Sequence, residues 1–376
     1  MRHDAHPVRI VSSEPLSHPN PYVRLFYGAL EHEGFDWVGT FVPSRRWLRA
    51  HAGEFDALHV HWIEWMMRSE PDCFRRLVSM RGGWRIVRLM RPLFPWLQLH
   101  ALGRFCAEAR VRRKPIVWTC HNVEPHEGAS WPVRAAFRRI ARSVDLVICH
   151  DESARRGCWT RYRPTGRIVV MPHGNYDGVY PKGRPRDEVR RALGLPLDRP
   201  LVLCVGQVRP YKGVDLVCEA VARLSGRVAL LVAGDSHVHA YTRRIEDLVR
   251  SLPDAVFANR HLSDQEFADF VGASDVVALA YRGLTGSGSA LAVLTLGRGV
   301  VASDWPFFRD LLRGRPRAGR VFAPGDARAL AAAIDDLLGV DPGEREKAAR
   351  ALAAGLSWST VVAPVAEKLR TLMAEA

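Results

Sequence analysis

The sequence predicts an α/β protein: two doubly wound, Rossmann-like domains that face each other across a cleft, followed by a terminal helix. Three observations predict it. Short apolar runs alternate with longer helical patterns, as parallel strands joined by crossover helices require. The length of 376 residues suits two domains of ordinary size. The alternation is interrupted at 180–187, Tyr-Pro-Lys-Gly-Arg-Pro-Arg-Asp, a composition that suits an exposed linker. The expected domains are therefore 1–180 and 181–357, with 358–376 as a helix near the domain junction.

In the first half the strand candidates are 8–12, 37–41, 56–60, 115–121, 146–150 and 167–171, with helices over 22–33, 96–113 and 131–143. In the second half they are 201–205, 229–233, 256–258, 276–279, 300–302 and 320–322, with helices over 214–224, 263–273 and 327–338. A last helix spans about 358–373. Two such sheets bind ligands outside the carboxyl ends of their strands, at loops and helix N-termini.

Composition narrows the class. The chain is 47% hydrophobic and 25% charged, as in a soluble globular protein. No apolar run approaches the roughly 18–20 residues that span a bilayer. The start, Met1 to His6, has no apolar signal core, so a cytoplasmic protein is expected. Seven scattered cysteines without a Cys-x-x-Cys pair argue against a disulfide framework or zinc ribbon, and most read as small buried apolar residues.

The net charge of +14 is uneven, with 27 Arg/Lys against 17 Asp/Glu in residues 1–180, a surplus of 10. Residues 75–114 hold eleven Arg/Lys and one acid, Glu108, interleaved with Trp84, Leu89, Leu93, Phe94, Trp96 and Leu97. Pro92 and Pro95 interrupt any single long helix there. Basic plus aromatic content suits an anionic membrane surface, or an insertion packed on the domain. No nucleic-acid motif accompanies it, and nucleic acid is not an expected partner.

The chemistry concentrates at strand ends. Gly206-Gln207-Val208-Arg209-Pro210-Tyr211-Lys212-Gly213 follows a strand and precedes a helix. Glycine permits close backbone approach, and Arg209 and Lys212 fall near a helix N-terminus, an arrangement that suits a diphosphate. Thr285-Gly286-Ser287-Gly288-Ser289 opens another helix, where amides and hydroxyls of Ser287, Gly288 and Ser289 suit a second phosphate. Gly234 closes the Val232-Ala233-Gly234-Asp235 strand end, and Arg260 and His261 follow the next strand as candidates for contacts to a nucleotide base.

In the first half, His121 and Asn122 end a strand and lead to His126-Glu127. An imidazole there can exchange hydrogen bonds with a bound hydroxyl or help neutralise a phosphate. Glu127 is the candidate general base for direct displacement, with Asp151 and Glu64 as alternatives. His59-x-His61 places two imidazoles on one face if the strand runs through His61, but no third ligand is evident, and buried or acceptor-facing roles fit better than a metal. His61, Asn122 and Asp151 are taken as acceptor-side candidates. No Gly-x-Gly-x-x-Gly follows the first strand, which disfavours a nicotinamide dehydrogenase.

These segments resemble glycosyltransferase family 4 and its GT-B relatives. Gly206, Lys212 and Gly213 match that family's Gly-Arg-Leu-x-x-x-Lys-Gly signature, with Gln207 at the usual arginine. Met171-Pro172-His173-Gly174-Asn175 and Ala233-Gly234-Asp235 resemble two further strand-end motifs. Within the superfamily the chain is most similar to bacterial exopolysaccharide enzymes of the β-mannosyltransferase type, through His59–Trp62, His121–Glu127 and Arg209–Gly213.

The resemblance implies transfer of a sugar from a nucleotide-sugar donor to a lipid-linked or polysaccharide acceptor. GDP-mannose is the first guess and UDP-sugars the second, and peripheral attachment to the inner membrane face is implied. The alternatives are a soluble natural-product acceptor or a non-catalytic sugar-nucleotide-binding protein. It also implies that His121 touches the donor sugar or its phosphate, and that Asn20-Pro21-Tyr22 replaces a glycine-rich loop near the diphosphate. The family's Glu-x7-Glu is missing, with Leu284 and Ala292 near those positions. No Asp-x-Asp occurs, so neither an essential metal nor a cofactor is expected.

Overall fold

The computed structural model describes residues 6–68, 83–124, 130–283 and 286–375. The chain forms two compact units, Met1–Pro172 with Trp358–Ala376, and His173–Ser357.

The first unit is built on strands β1 (Val8–Ser12), β2 (Phe35–Thr40), β3 (Ala57–Val60), β4 (Ile116–Cys120), β5 (Leu146–Cys149) and β6 (Arg167–Val170). All pairings are parallel, in the order β2-β1-β3-β4-β5-β6. Every residue of β3, β4 and β5 is buried, which is why those runs read as mostly apolar rather than alternating. Trp118, Phe105 and Phe137 anchor the core on one side. Strand order reverses between β1 and β3, so the loops after these two strands flank the topological switch point.

The second unit holds β7 (Leu201–Val205), β8 (Ala229–Ala233), β9 (Ala255–Ala258), β10 (Val276–Leu279), β11 (Gly299–Ser303) and β12 (Gly319–Phe322). Their order is β12-β11-β10-β7-β8-β9, again all parallel. Read from β9, this is the dinucleotide-fold order, with its switch point between β7 and β10. Helix starts are chemically marked. Ser263 and Glu266 form a capping box on helix Asp264–Ala273, and Asp326 caps helix Ala327–Leu338.

Residues 173–187 belong to the second unit because their polar groups are satisfied there. Asn175 Nδ2 donates to Ala353 O at 3.0 Å and Tyr176 N to Thr295 Oγ1 at 3.1 Å. Arg184 pairs with Asp269 at 2.8 Å, and Arg186 and the fully buried Arg190 both pair with Asp275, at 2.9 and 2.7 Å. A stretch that reads as linker by composition is thus tied down by its arginines.

The last helix, Trp358–Glu375, returns to the first unit, where it lies against helix Tyr22–Glu31 and by β5 and β6. Trp358 meets Tyr22 edge-on at 5.3 Å, and Pro364 lies inside the helix.

The described part of the basic stretch forms helix Gly83–Met90, a short 3₁₀ turn Arg91–Leu93 and helix Phe94–Val111, broken where Pro92 and Pro95 fall. Glu108 binds Arg49, Arg45 and Arg112 at 3.0, 2.8 and 2.9 Å, and these guanidiniums hold its carboxyl down to about 2. Positions 75–82 lie outside the described residues. Among the described residues, no helix is long and apolar enough to cross a membrane.

Candidate active site

In the second unit the site grows from the ends of β7 and β10. The chain leaves β7 at Gly206 with φ +99°, a conformation that a side chain rarely adopts. A Cβ at Gly206 would lie 2.9 Å from Lys212 Nζ and 3.8 Å from Ser289 Oγ, so the bare backbone makes room for the ammonium. Lys212 ends the 3₁₀ turn Pro210–Lys212, and its Nζ stands 5.7 Å from the Tyr281 ring centre. Desolvation lowers its pKa, and it forms no salt bridge among the described residues. The half-buried Arg209 precedes that turn.

Helix Gly288–Thr295 starts on the same side. Ser287 caps it by accepting from Ala290 N at 3.2 Å. Gly288 is required sterically, since a Cβ there would sit 2.5 Å from the Tyr176 hydroxyl and 3.6 Å from His173 Nε2. Burial pushes His173 down to about 4, so it is a neutral imidazole at pH 7. Gly234, after β8, has φ +141°, and a Cβ there would meet Gly206 O at 2.2 Å. The predicted Gly206, Arg209, Lys212, Ser287, Gly288 and Ser289 thus lie at one switch point, with Gly234 packed beneath Gly206.

The other two predicted residues are placed differently. Arg260 forms a 2.5 Å ion pair with Glu266, and His261 is exposed on the loop after β9. Sequence reasoning missed Arg282, whose side chain grips both oxygens of Asp215 at 2.9 and 2.8 Å while its amide donates to Tyr211 O at 2.7 Å. It braces the loop after β10 against the one after β7. Tyr176 and Tyr281 were also missed. Their signal was only their neighbourhood to the Pro-His-Gly-Asn and Gly-Ser segments.

In the first unit, imidazoles form a chain. His59 Nε2 meets Thr119 Oγ1 at 2.8 Å and its Nδ1 meets the Tyr27 hydroxyl at 2.7 Å. Tyr27 reaches His61 Nε2 at 3.3 Å, and His61 Nδ1 meets His121 Nε2 at 3.2 Å. His121 Nδ1 meets His150 Nε2 at 3.4 Å, and His150 Nδ1 donates to Met171 O at 3.1 Å. One set of neutral tautomers satisfies every link, each ring donating from Nδ1 and accepting at Nε2. Burial enforces neutrality: it takes His59 down to about 3 and His61 well below the usual imidazole range. His59 and His61 therefore serve hydrogen bonding within the unit. Both ring nitrogens of His121 are engaged in the chain, and its ring lies flat on Trp62, centroids 4.1 Å apart.

Asp151 caps helix Glu152–Tyr162, its Oδ1 accepting from Ala154 N at 2.6 Å. Glu64 lies in the first turn of helix Ile63–Arg68, and Asn122 O accepts from Cys120 Sγ at 3.5 Å. Glu127 lies outside the described residues. Asn20 Oδ1 accepts from Tyr22 N at 3.0 Å, so Asn20-Pro21 opens helix Tyr22–Glu31. Cys120, Cys149 and Cys158 bring their sulfurs within 4.8 Å of one another in the core. Their mutual hydrogen bonding, with burial, raises the Cys120 thiol, and the same bonding lowers the Cys158 thiol.

Two family models match the chain: "Glycosyltransferase Family 4" over residues 68–175 and "Glycosyl transferases group 1" over 199–339. The chain is a GT-B glycosyltransferase of the family 4-like superfamily. The transferase is 25% identical over 292 residues to GDP-mannose:glycolipid 4-beta-D-mannosyltransferase of Xanthomonas campestris pv. campestris, covering 77% of this chain and 72% of that one. It is 27% identical over 276 residues to a GDP-mannose-dependent alpha-(1-6)-phosphatidylinositol monomannoside mannosyltransferase of Mycolicibacterium smegmatis, covering 69% of each. Sucrose-phosphate synthase from Thermosynechococcus elongatus shares the fold, with TM-score 0.72 at 19% identity over 99% of this transferase and all of that chain. Anabaena HepE in complex with UDP and glucose gives 0.68 at 16% identity, over 97% and 100%. The predicted phosphate-site residues of the transferase all fall inside the group 1 match, whereas the loop after β1 lies outside both matches.

Proposed function

We propose that this glycosyltransferase moves mannose from GDP-mannose to a lipid-linked or polysaccharide acceptor, without an essential metal. The observation that carries the donor half is Lys212, a desolvated ammonium with no salt bridge among the described residues, held over Gly206 beside Ser289. A diphosphate supplies the missing anion, and the capped start of helix Gly288–Thr295 adds amides to it. Arg209 contributes a second cation. Preorganised positive charge at this point stabilises the leaving nucleotide as the glycosidic bond breaks. The choice of GDP-mannose rests on the two mannosyltransferase relatives named above.

The acceptor half rests on the surface of the first unit. Leu89, Leu93, Trp96, Leu97 and Trp131 are exposed together with Arg88 and Arg91, and Trp96 stacks on Trp131 at 5.0 Å. Aromatic and basic groups on one surface suit an anionic lipid headgroup layer. The names of the two mannosyltransferase relatives include a glycolipid and a phosphatidylinositol monomannoside, which favours a lipid-linked acceptor.

The test is a thermal-shift screen with GDP, UDP and dTDP, followed by turnover of the matching sugar nucleotides with and without EDTA. GDP is expected to stabilise the protein most, and EDTA to leave turnover unchanged. Lys212→Ala is expected to lower turnover by about a hundredfold or more while preserving the fold, as loss of a charge stabiliser does. Near-normal turnover in Lys212→Ala removes it from the diphosphate site.

A further inference from the structure

The loop after β1 carries two groups that the donor site and the histidine chain leave unused. His18 is buried, its side chain only 5% exposed, and its Nδ1 accepts from Asn20 N at 3.0 Å. That bond places the ring proton on Nε2, and Nε2 makes no hydrogen bond. The nearest charged group is Glu14 of the same loop, whose Oε2 lies 3.9 Å away, beyond hydrogen-bond range. The Glu14 side chain is itself 13% exposed.

Aromatic faces complete the place. His18 stacks on Trp62 at 4.8 Å and 15°, and lies 5.0 Å from Trp65. Trp62 and Trp65 stack on each other at 5.7 Å, and Trp65 remains 52% exposed. These residues come from the loop after β1 and from the loop and short helix Ile63–Arg68 after β3, the two strands between which the sheet order reverses. Open α/β sheets bind ligands at that point.

We propose that Glu14, His18 and Trp65 form the seat of the acceptor's terminal sugar, with Glu14 the base that takes the proton of the attacking hydroxyl. A pyranose has one face of C–H bonds, which packs on an exposed indole, and a rim of hydroxyls, which needs donors and acceptors. Trp65 supplies the face. His18 Nε2–H finds in a sugar oxygen the acceptor it lacks. Glu14 accepts from the nucleophilic hydroxyl. In the step itself the acceptor O–H bond breaks as the new bond to the anomeric carbon forms. The proton passes to the Glu14 carboxylate, and the bond from the anomeric carbon to the phosphate oxygen breaks with its electron pair leaving on the diphosphate. A carboxyl with one buried neutral neighbour suits this role, and burial holds Glu14 up at about 7, near neutral pH.

This inference rests on the transferase reading above, and four readouts separate the two. Tryptophan fluorescence of the full chain is titrated with methyl β-D-glucopyranoside and methyl α-D-mannopyranoside. GDP release from GDP-mannose is followed with each glycoside present, and the GDP thermal shift and near-UV spectrum are recorded for every variant. The wild type is expected to show saturable binding of at least one glycoside, and Trp65→Ala to lose it. Glu14→Gln is expected to release GDP at least about a hundredfold more slowly, the span of general-base catalysis. Both variants are expected to keep the wild-type GDP shift and spectrum. Silence of the wild type to both glycosides, binding retained in Trp65→Ala, or release by Glu14→Gln within about threefold of wild type each overturns the inference. A wild type that shows no GDP shift sinks the donor reading instead, and leaves the glycoside titration to decide the sugar seat by itself.

Discussion

At the scale of single residues, both units hold ionisable groups out of water. Lys212 is an ammonium in a desolvated place, His59, His61 and His173 are imidazoles kept neutral, and Glu14 is a carboxyl whose pKa burial raises from 4.5 to about 7. Glu14 has a measurable consequence for stability. Between about pH 4.5 and 7 the folded chain holds a proton on Glu14 that the unfolded chain has released. Stability therefore falls as pH rises through that window, and the whole penalty is present above pH 7. The titratable neighbour facing Glu14 among the described residues is His18, whose pKa burial lowers, while His121 lies against Trp62. Glu14→Gln removes the penalty. It is expected to be more stable than wild type at pH 8, by on the order of 2 kcal/mol, and equal to it near pH 4. Denaturant melts at the two pH values check this, and equal stability at pH 8 shows that Glu14 is not desolvated. A variant that gains stability while losing turnover is what a residue kept for chemistry predicts.

At the scale of elements, helix Gly288–Thr295 shows how a short segment is specified. It is eight residues long, its apolar side chains Leu291, Val293 and Leu294 are buried, and Ser287 satisfies one of its free amides. Ser287→Ala is expected to cost about 1 kcal/mol, as lost N-caps do. It should also weaken GDP binding, because the first amides are no longer held in register. Chemical denaturation and a GDP titration measure the two effects, and a stability loss with unchanged GDP affinity restricts Ser287 to capping.

The same element shows what was legible in the sequence. Apolar runs ending in glycine marked β7 and β8, and the glycine-serine string 285–289 marked the start of this helix, because close backbone approach, positive φ and capping leave a compositional trace. The sheets themselves followed from strands long enough to be buried on both faces. Glu14 and His18 left no such trace. Their meaning comes from the parallel pairing of β1 with β3, Ser12 opposite His59, which carries the loop after β1 to Trp62 and Trp65. That is a tertiary fact, invisible to periodicity. The imidazole chain was half visible: His59 and His61 read as one face of a strand, but Tyr27 enters it from a helix, Thr119 from β4 and His150 from just after β5.

For the whole molecule, the chain's charge is the property that local reading treats least well. Of the net +14, the first 180 residues hold a surplus of 10. Part of it is spent internally, since Arg45, Arg49 and Arg112 converge on Glu108. What remains outward includes Arg88 and Arg91 beside Leu89, Leu93 and Trp96. If this surface meets a membrane, binding combines apolar burial with attraction to anionic lipid, worth about 1 kcal/mol per basic residue near the surface. The protein is then expected to co-sediment with phosphatidylglycerol-containing vesicles and not with pure phosphatidylcholine, and to release as salt shortens the range of the attraction. Arg88→Glu with Arg91→Glu should abolish co-sedimentation and leave the GDP thermal shift intact, because neither residue belongs to the diphosphate site. Equal binding to neutral and anionic vesicles would leave only the apolar contribution, and no binding to either would assign Leu89, Leu93 and Trp96 to some other contact. The arginine pair discriminates because charge reversal changes the sign of the electrostatic part while leaving the aromatic side chains in place.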